Sequence, residues 1–505
     1  MDAITPLLDP DDLARLRDAL ASAGFTSHGI ADRIGPAAVA GVRRNDFRAL
    51  LRATTEPDRL ATLIRMFLAG QTEPVGAVAA ALSPLPVASA QAIGLVLPDG
   101  DGLRAGLDLD VYTGHTGQDF WVLSDQDVDA RAEPLRTDHV LGIGNAATTL
   151  AGATIRRPVG TALDLGTGCG VQALELSGHT GSVTGTDVSA RALAFAATTA
   201  ALNGQRWELL AGDLLAPVRG RRFDLVVSNP PFVVGPGAMR YHYRDSGRAG
   251  DGICAELAAA APDLLTDGGT MQFLANWLHR RGEDWRERVA GWVAGTGCDA
   301  WIIQREVSDP SEYVRLWLRD AAEPVDPARA EAWLDWFDAN QIEAVGFGLV
   351  TVRAGGHADP MVRAEDLRQQ VQPPLGEQIG AWWDRQDWLA AHPGPALLGE
   401  CYQRAPDLRL TQEAEHDGDD WAVDRQVLAL GGGLHWAEEV DPVALALVSG
   451  ADGTVPMRDQ LAVLASAFDT PEPVLAAMAV PVVAHLVERG FLRPTRPTRG
   501  WPPAR

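Results

Sequence analysis

Apolar positions recur every three or four residues along the first part of the chain. "DDLARLRDALASAGF", "FRALLRAT", "DRLATLIRMFLAG" and "PVGAVAAALS" each gather Leu, Ile, Ala or Met on one face, which predicts several helices over residues 12–95. The period then changes to two. "GLRAGLDLDVYTG" and "DFWVLSD" alternate apolar and polar residues and are separated by turn formers, so they predict a β-hairpin. Helices followed by a two-stranded wing predict a winged-helix-like module over 1–128.

From 129 to 356 short apolar runs alternate with helical stretches. "TALDLGTG", "GSVTGTDV", "WELLAGD", "FDLVVSNPP", "GTMQFLANW", "CDAWIIQREV" and "AVGFGLVTVRA" predict strands. Strands spaced by helices predict a doubly wound, Rossmann-like α/β domain with a parallel sheet and helices on both faces. Between the last two strands, "PSEYVRLWLRD" and "ARAEAWLDWFDAN" predict an inserted helix pair whose tryptophans serve packing. Gly and Pro in "RAGGHADPM" and "VQPPLGEQ" predict a connection at 356–378. Beyond it, over 357–505, "LRLTQEAEH" and "DRQVLALGGGLHWAEEV" read as strands and "RDQLAVLASAF" and "VLAAMAVPVVAHLVERGFLRP" as helices, an α+β module that a second winged-helix-like fold would fit. "PTRPTRGWPPAR" reads as a frayed tail.

Composition narrows the chemistry. A chain of 505 residues exceeds what one core supports, so several domains are expected. No apolar run reaches about 18 residues and no basic-then-apolar leader opens the chain, which predicts a cytoplasmic protein with no membrane partner. Cys169, Cys254, Cys298 and Cys401 lie far apart with no CxxC pair, so neither a disulfide framework nor a zinc cluster is expected, and no metal. A net charge of −24 opposes non-specific binding to nucleic acid. All 43 basic side chains other than histidine are arginine, which removes Schiff-base chemistry and a P-loop lysine.

Four short stretches carry chemistry. In "ALDLGTGCGVQAL" a strand ends at Asp164, and Gly166, Thr167, Gly168, Cys169 and Gly170 follow before a helix, a spacing that lets backbone approach a ligand closely unless it is only a tight turn. It is G-x-G-x-G, not the dinucleotide pattern, and an acid ahead of it repels pyrophosphate but suits an ammonium-bearing ligand such as S-adenosylmethionine. In "GSVTGTDVSARAL" Asp187 closes the next strand, where its carboxylate can accept from both ribose hydroxyls; Asp187 or Ser189 could instead cap the following helix. In "LLAGDLLAP" Asp213 can accept from an adenine amino group while Leu214 packs on the ring. In "SNPPF" the strand stops at Asn229 because Pro230 and Pro231 supply no backbone donor. The Asn229 side-chain oxygen and the Pro230 carbonyl are then two acceptors for one NH2 group, with Phe232 placed to lie against a planar acceptor. The alternative is an ordinary strand-ending turn.

The order "DLGTGCG", "TGTD", "GDLL", "SNPPF" resembles the class I S-adenosylmethionine-dependent methyltransferases with an (N/D)PP(Y/F) motif, which modify planar nitrogens of protein glutamine, adenine N6 or guanine N2. The resemblance covers about 130–355. It implies that Gly166 to Gly170 and Asp187 hold the cofactor, that Asp213 and Leu214 flank the adenine, and that Asn229 binds the acceptor nitrogen. Val233 after the motif and "GRAGDGICAELAAAAPDLLTDGGTMQFL" are similar to the glutamine enzymes, whereas Phe232 is familiar among guanine-N2 enzymes. A macromolecular acceptor is therefore expected, protein favoured over RNA or DNA. A rival of another class is a cofactor-binding regulator without turnover. "AMRYHYRDSGR" spaces Arg240, Arg244 and Arg248 every four residues, either as a lip over the acceptor or as a solvated loop. His139, ahead of the first strand, could cap the cofactor pocket or be structural, and receives no catalytic role.

Overall fold

The computed structural model describes residues 4–126, 136–237, 241–320, 327–355, 359–416, 418 and 420–495. They form two compact units, 1–368 and 369–505.

The larger unit is built on an eight-stranded sheet. Its strands are β1 Val159–Leu165, β2 Thr180–Asp187, β3 Glu208–Ala211, β4 Phe223–Ser228, β5 Leu265–Arg280, β6 Asp299–Ser308, β7 Ile342–Arg353 and β8 Val362–Asp366. All seven strands predicted from the periodicity form, and the spatial order is β8-β6-β7-β5-β4-β1-β2-β3. The sheet is mixed, not wholly parallel: β7 runs antiparallel to both β5 and β6. The inserted helices Pro310–Asp320 and Pro327–Ala339 bring the chain back so that it enters β7 from the opposite end. The stretch expected to be only a connection supplies β8, which pairs in parallel with β6 from Ala300↔Val362 to Gln304↔Asp366; residues 356–358 of it lie outside the described residues. This strand takes the sheet past residue 356.

After β1 the chain moves outward to β2 and β3, then crosses back to β4 on the other side of β1. The reversal places a crevice beyond the carboxyl ends of β1 and β4, where open α/β sheets bind ligands. Register is tight there, with Leu165 opposite Ser228 and the Ser228 hydroxyl donating to the Leu165 carbonyl at 2.7 Å.

The predicted hairpin forms between Leu107–Thr113 and Asp119–Asp125, yet it is not a wing. Winged-helix topology lies just upstream: Glu73–Pro74, helices Val75–Leu82 and Val87–Ala92, then Val96–Asp99 and Gly102–Ala105, in a three-stranded sheet with the last strand central. The hairpin instead backs the crevice. Leu109, Tyr112 and Phe120 share one core with Cys169, Leu174 and Phe195 of the segments that follow β1 and β2. Asn203 clamps Trp121, accepting from its amide at 2.9 Å and donating to its carbonyl at 2.8 Å. Glu175 accepts from the Tyr112 hydroxyl at 2.6 Å and pairs with Arg156 at 3.1 Å and His115 at 3.1 Å.

In the smaller unit, helix Pro442–Gly450, strand Asp452–Pro456, helices Met457–Ala467 and Glu472–Arg489 and strand Leu492–Pro494 follow one another in winged-helix order. The central strand, Cys401–Arg404, comes from upstream rather than from the end of the module. The last helix ends at Gly490 with φ 86°. A separate antiparallel ribbon joins Leu408–His416 to Trp421–Leu430 and Ala437–Glu439. Among the described residues no helix is long and apolar enough to cross a membrane.

Glu175→Ala removes the acceptor shared by Tyr112, His115 and Arg156 and leaves a partly buried guanidinium without its carboxylate. The variant is expected to lose about 3 kcal/mol, read as a lower midpoint for the first unfolding transition in calorimetry; an unchanged midpoint would show that the cluster does not hold the hairpin to the sheet.

Candidate active site

A cavity of about 260 Å³ opens at the reversal point between β1 and β4. Its floor is the glycine loop. Gly166, Gly168 and Gly170 have φ of 78°, 55° and 92°, a region L side chains rarely adopt. At Gly170 a Cβ would also stand 2.7 Å from the Trp207 ring, so that position is closed to substitution twice over. The amides of Gly166 and Thr167 both donate to the Thr186 carbonyl, at 2.9 and 2.8 Å, which locks the loop to the end of β2.

Asp187, on the cavity wall, accepts from the Gly168 amide at 3.0 Å and the Ser189 amide at 2.8 Å. Each carboxylate oxygen retains lone-pair capacity for a further donor. Ser189 is the N-cap of the next helix, accepting from Ala192 at 3.2 Å, so capping falls to Ser189 and leaves Asp187 facing the cavity. Burial pushes the Asp187 carboxyl up from the usual range. Asp164 is fully buried beneath the loop and is not on the wall. One of its oxygens accepts from the Thr167 hydroxyl at 2.7 Å and the Ala173 amide at 3.1 Å, while the other has no hydrogen-bond partner. Burial raises its pKa to about 7. Cys169 lines the wall as a buried thiol pushed up to about 12, too weakly acidic to act as a nucleophile at neutral pH.

Asp213 and Leu214 form another side of the cavity, and the Gly212 amide anchors that turn to the Asp187 carbonyl at 3.0 Å. Leu214 itself has φ 45°. Asn229, Pro230 and Pro231 close the end next to β4. The Asn229 side-chain oxygen is buried and accepts no hydrogen bond. Phe232 is not on the wall: its ring is buried against Trp317 at 6.1 Å and Phe347 at 5.7 Å. Gly170 is likewise off the wall, at the N-cap of helix Val171–Ser177. The loop, Asp187, Asp213, Leu214 and Asn229 are thus brought together, with Asp164 behind them.

The roof draws on the two segments read as a lip and as a possible pocket cap, together with the GIGN turn that the sequence reading passed over. It combines His139, Leu141, Gly142, Gly144 and Ala147 with His242, Tyr243, Ser246 and Arg248. The His242 amide donates to the Thr137 carbonyl at 3.0 Å, and the His139 and Tyr243 rings meet edge-on at 5.9 Å. The glycine pair in "GIGN" ahead of β1 was the available signal. Among the supposed lip arginines, Arg244 is buried, paired with Asp245 at 3.0 Å, and does not reach solvent. Arg248 is held by Glu256 at 2.5 and 3.2 Å. Arg240 lies outside the described residues.

S-adenosylmethionine fits this donor set. A sulfonium and an ammonium would offset the charge of carboxylates that burial otherwise disfavours, a glycine turn admits the amino-acid end closely, and Asp187 retains capacity for ribose hydroxyls. No group of three or more potential metal ligands occurs among the described residues.

The sheet order with its antiparallel β7 and the glycine loop at the reversal point are those of a Rossmann-like class I methyltransferase domain. Comparison with known proteins agrees: residues 143–283 match the family described as "Methyltransferase small domain". Residues 22–106 and 380–494 match two domains of unknown function, DUF7059 and DUF7782. Curated relatives include a ribosomal RNA small subunit methyltransferase C of Alcanivorax borkumensis, 35% identical over 127 residues, covering 25% of this chain and 35% of the relative. A release factor glutamine methyltransferase of Geobacter sulfurreducens is 33% identical over 168 residues, covering 30% and 55%. The chain therefore spans between about a third and about half the length of these relatives. A solved T. thermophilus 16S rRNA N2 G1207 methyltransferase in complex with AdoMet and guanosine aligns at 16% identity and TM-score 0.26, over 41% of this chain and 54% of that one.

Asp164 sets a pH dependence. Below pH ~4 the carboxyl is protonated in both folded and unfolded chains. Between pH ~4 and about 7 the unfolded chain releases that proton while the folded one keeps it, so this group's contribution to stability falls as pH rises. Asp164→Asn is expected to abolish this component, on the order of 3–4 kcal/mol across the window. Denaturation of both proteins at pH 5 and pH 8 checks it; parallel pH profiles would contradict the buried neutral acid.

Proposed function

We propose that the chain is an S-adenosylmethionine-dependent N-methyltransferase that acts in the cytoplasm on a planar amide nitrogen, the side chain of a protein glutamine. The observation that carries this reading is the buried Asn229 oxygen without a hydrogen-bond donor at the wall of the glycine-loop cavity. Leaving such an atom unsatisfied costs roughly 1–3 kcal/mol, and an incoming NH2 group removes that cost. With the Pro230 carbonyl as second acceptor, both N–H bonds are held and the nitrogen lone pair is turned out of conjugation towards the cofactor. The cofactor supplies an electrophilic methyl on a sulfonium. With a cofactor bound, the nitrogen would gain the methyl as the carbon–sulfur bond broke, and its surplus proton would pass to solvent. The chain contributes orientation, a term that reaches ~7 kcal/mol when geometry is good.

Two observations favour protein as the acceptor. The rim arginines are already paired: Arg244 with Asp245, and Arg248 with Glu256 and, at 3.9 Å, with the 74% exposed Asp213. The whole chain is strongly acidic. The similarity to a ribosomal RNA small subunit methyltransferase favours an exocyclic amine of RNA as the second reading.

Lysate from a strain lacking the protein, treated with purified enzyme and methyl-labelled cofactor, is expected to yield label that resists nuclease and yields to protease. The opposite pattern selects RNA, and no label at all would refute methyl transfer. Asn229→Ala is expected to lower transfer by about 100-fold or more while cofactor affinity in calorimetry stays within about twofold; normal transfer would remove the motif from the mechanism. Asp187→Ala is expected to weaken cofactor binding by roughly 10- to 100-fold, the loss of hydrogen bonds to a charged acceptor, and equal affinity would contradict the ribose assignment.

A further inference from the structure

The helical insert between β6 and β7 has a core of its own, and two of that core's members are Val233 and Val234, the residues directly after Phe232. The contact is polar as well as apolar. The Val234 amide donates to the Tyr313 hydroxyl at 2.8 Å, and the Val234 carbonyl accepts from the Trp333 indole nitrogen at 3.1 Å. Both backbone groups of this buried residue are therefore satisfied by side chains of the insert. The Tyr313 oxygen accepts a second bond, from the Asn276 side-chain amide of β5 at 2.7 Å, which ties the insert's grip back to the sheet. Burial pushes the Tyr313 phenol up, so it stays protonated. Trp317 of the same helix packs on Phe232, and its carbonyl accepts from Arg244 of the roof loop at 2.9 Å.

The reason for such a grip lies in the motif. Strand β4 ends at Ser228, and Pro230 and Pro231 have no N–H with which to extend a ladder. The segment that presents Asn229 and the Pro230 carbonyl is fixed at its start by the sheet, and its far end needs another anchor. Buried backbone groups require partners, and here the insert provides them. At Gly235 a Cβ would stand 2.8 Å from the Trp333 nitrogen, so chain and insert are in close contact along this stretch.

We propose that Tyr313 and Trp333 are positioning residues for methyl transfer: by holding Val234 through both of its backbone groups they set where the Asn229 oxygen and the Pro230 carbonyl stand relative to the cofactor. This rests on the methyl-transfer reading above. Neither side chain lines the cavity, so their effect is placed on the transfer step rather than on cofactor binding. Orientation is the sensitive quantity, since a displacement of ~1 Å can cost ~100-fold in rate.

Tyr313→Phe and Trp333→Phe each delete one hydrogen bond while keeping an aromatic ring in the core. At saturating labelled cofactor, each is expected to lower the initial rate of label incorporation into the deletion-strain lysate by about tenfold, a partial misplacement on that scale. The cofactor Kd of each is expected to stay within about twofold of the parent. Because both act through Val234, the double variant is expected to lose less than the product of the single losses. Parental rates in both single variants would overturn the proposal. So would a fall in cofactor affinity that matches the fall in rate, the sign of general loosening. Should one variant fail to fold, the other carries the test. Absence of label with the unmodified protein would instead refute the methyl-transfer reading itself, which separates the two failures.

Discussion

The pairing of β1 with β4 at the point where strand order reverses is the constraint from which the site follows. With Leu165 opposite Ser228, the two strands end level with each other, and the chain leaves both on residues that cannot extend a sheet. Glycines at positive φ turn one exit and prolines turn the other. Side by side, the two turns make a ligand loop and an acceptor clamp around one cavity. The shared core of the N-terminal hairpin and the helices after β1 and β2 supports the first turn from behind. The tryptophan-rich insert supports the second from its far end.

Electrostatics in the cavity favour a cation. Asp164 is buried and Asp187 half-buried, desolvation is the largest cause of both upward shifts, and the Asp187 charge adds to the cost of ionising Asp164. No lysine or described arginine pairs with either one by salt bridge, so the Asp187 carboxylate on the wall is left to face a cationic ligand, while Asp164 lies neutral beneath the loop below about pH 7. A sulfonium cofactor with an ammonium group meets that requirement, whereas a pyrophosphate would add to the repulsion. The clamp is of the opposite character: Asn229 lines the cavity, and its neutral side-chain oxygen has no hydrogen-bond donor.

Much of this was legible in the sequence because alternation and backbone chemistry are local. Every strand from "TALDLGTG" to "AVGFGLVTVRA" could be read from its apolar run, and the glycine and proline turns announced themselves by residue type. What was hidden depended on pairing between distant segments. The direction of β7 is set by how the insert returns the chain, not by its own composition. The strand Val362–Asp366 carries Arg, Glu and Asp and so lacks an apolar run. The wing was misassigned because Val96–Asp99 and Gly102–Ala105 are only four residues each, while the longer hairpin after them shows a cleaner period. Arg244 looked like a surface residue by spacing, yet Asp245 and the Trp317 carbonyl hold it inside. Phe232 looked like part of the cavity wall by its place beside Pro231, yet Trp317 and Phe347, remote in sequence, draw it into a cluster of rings.

The central claim is that one crevice holds a cofactor by the β1 and β2 ends and an amine acceptor by the β4 end. The most direct measurement is a crystal structure of the full chain with S-adenosylhomocysteine. The account requires the ribose hydroxyls on the Asp187 carboxylate, the adenine beside Leu214, and the thioether sulfur facing the Asn229 side-chain oxygen across open space. A ligand seated elsewhere, or an Asn229 amide turned into the protein with its oxygen satisfied by another side chain, would contradict it.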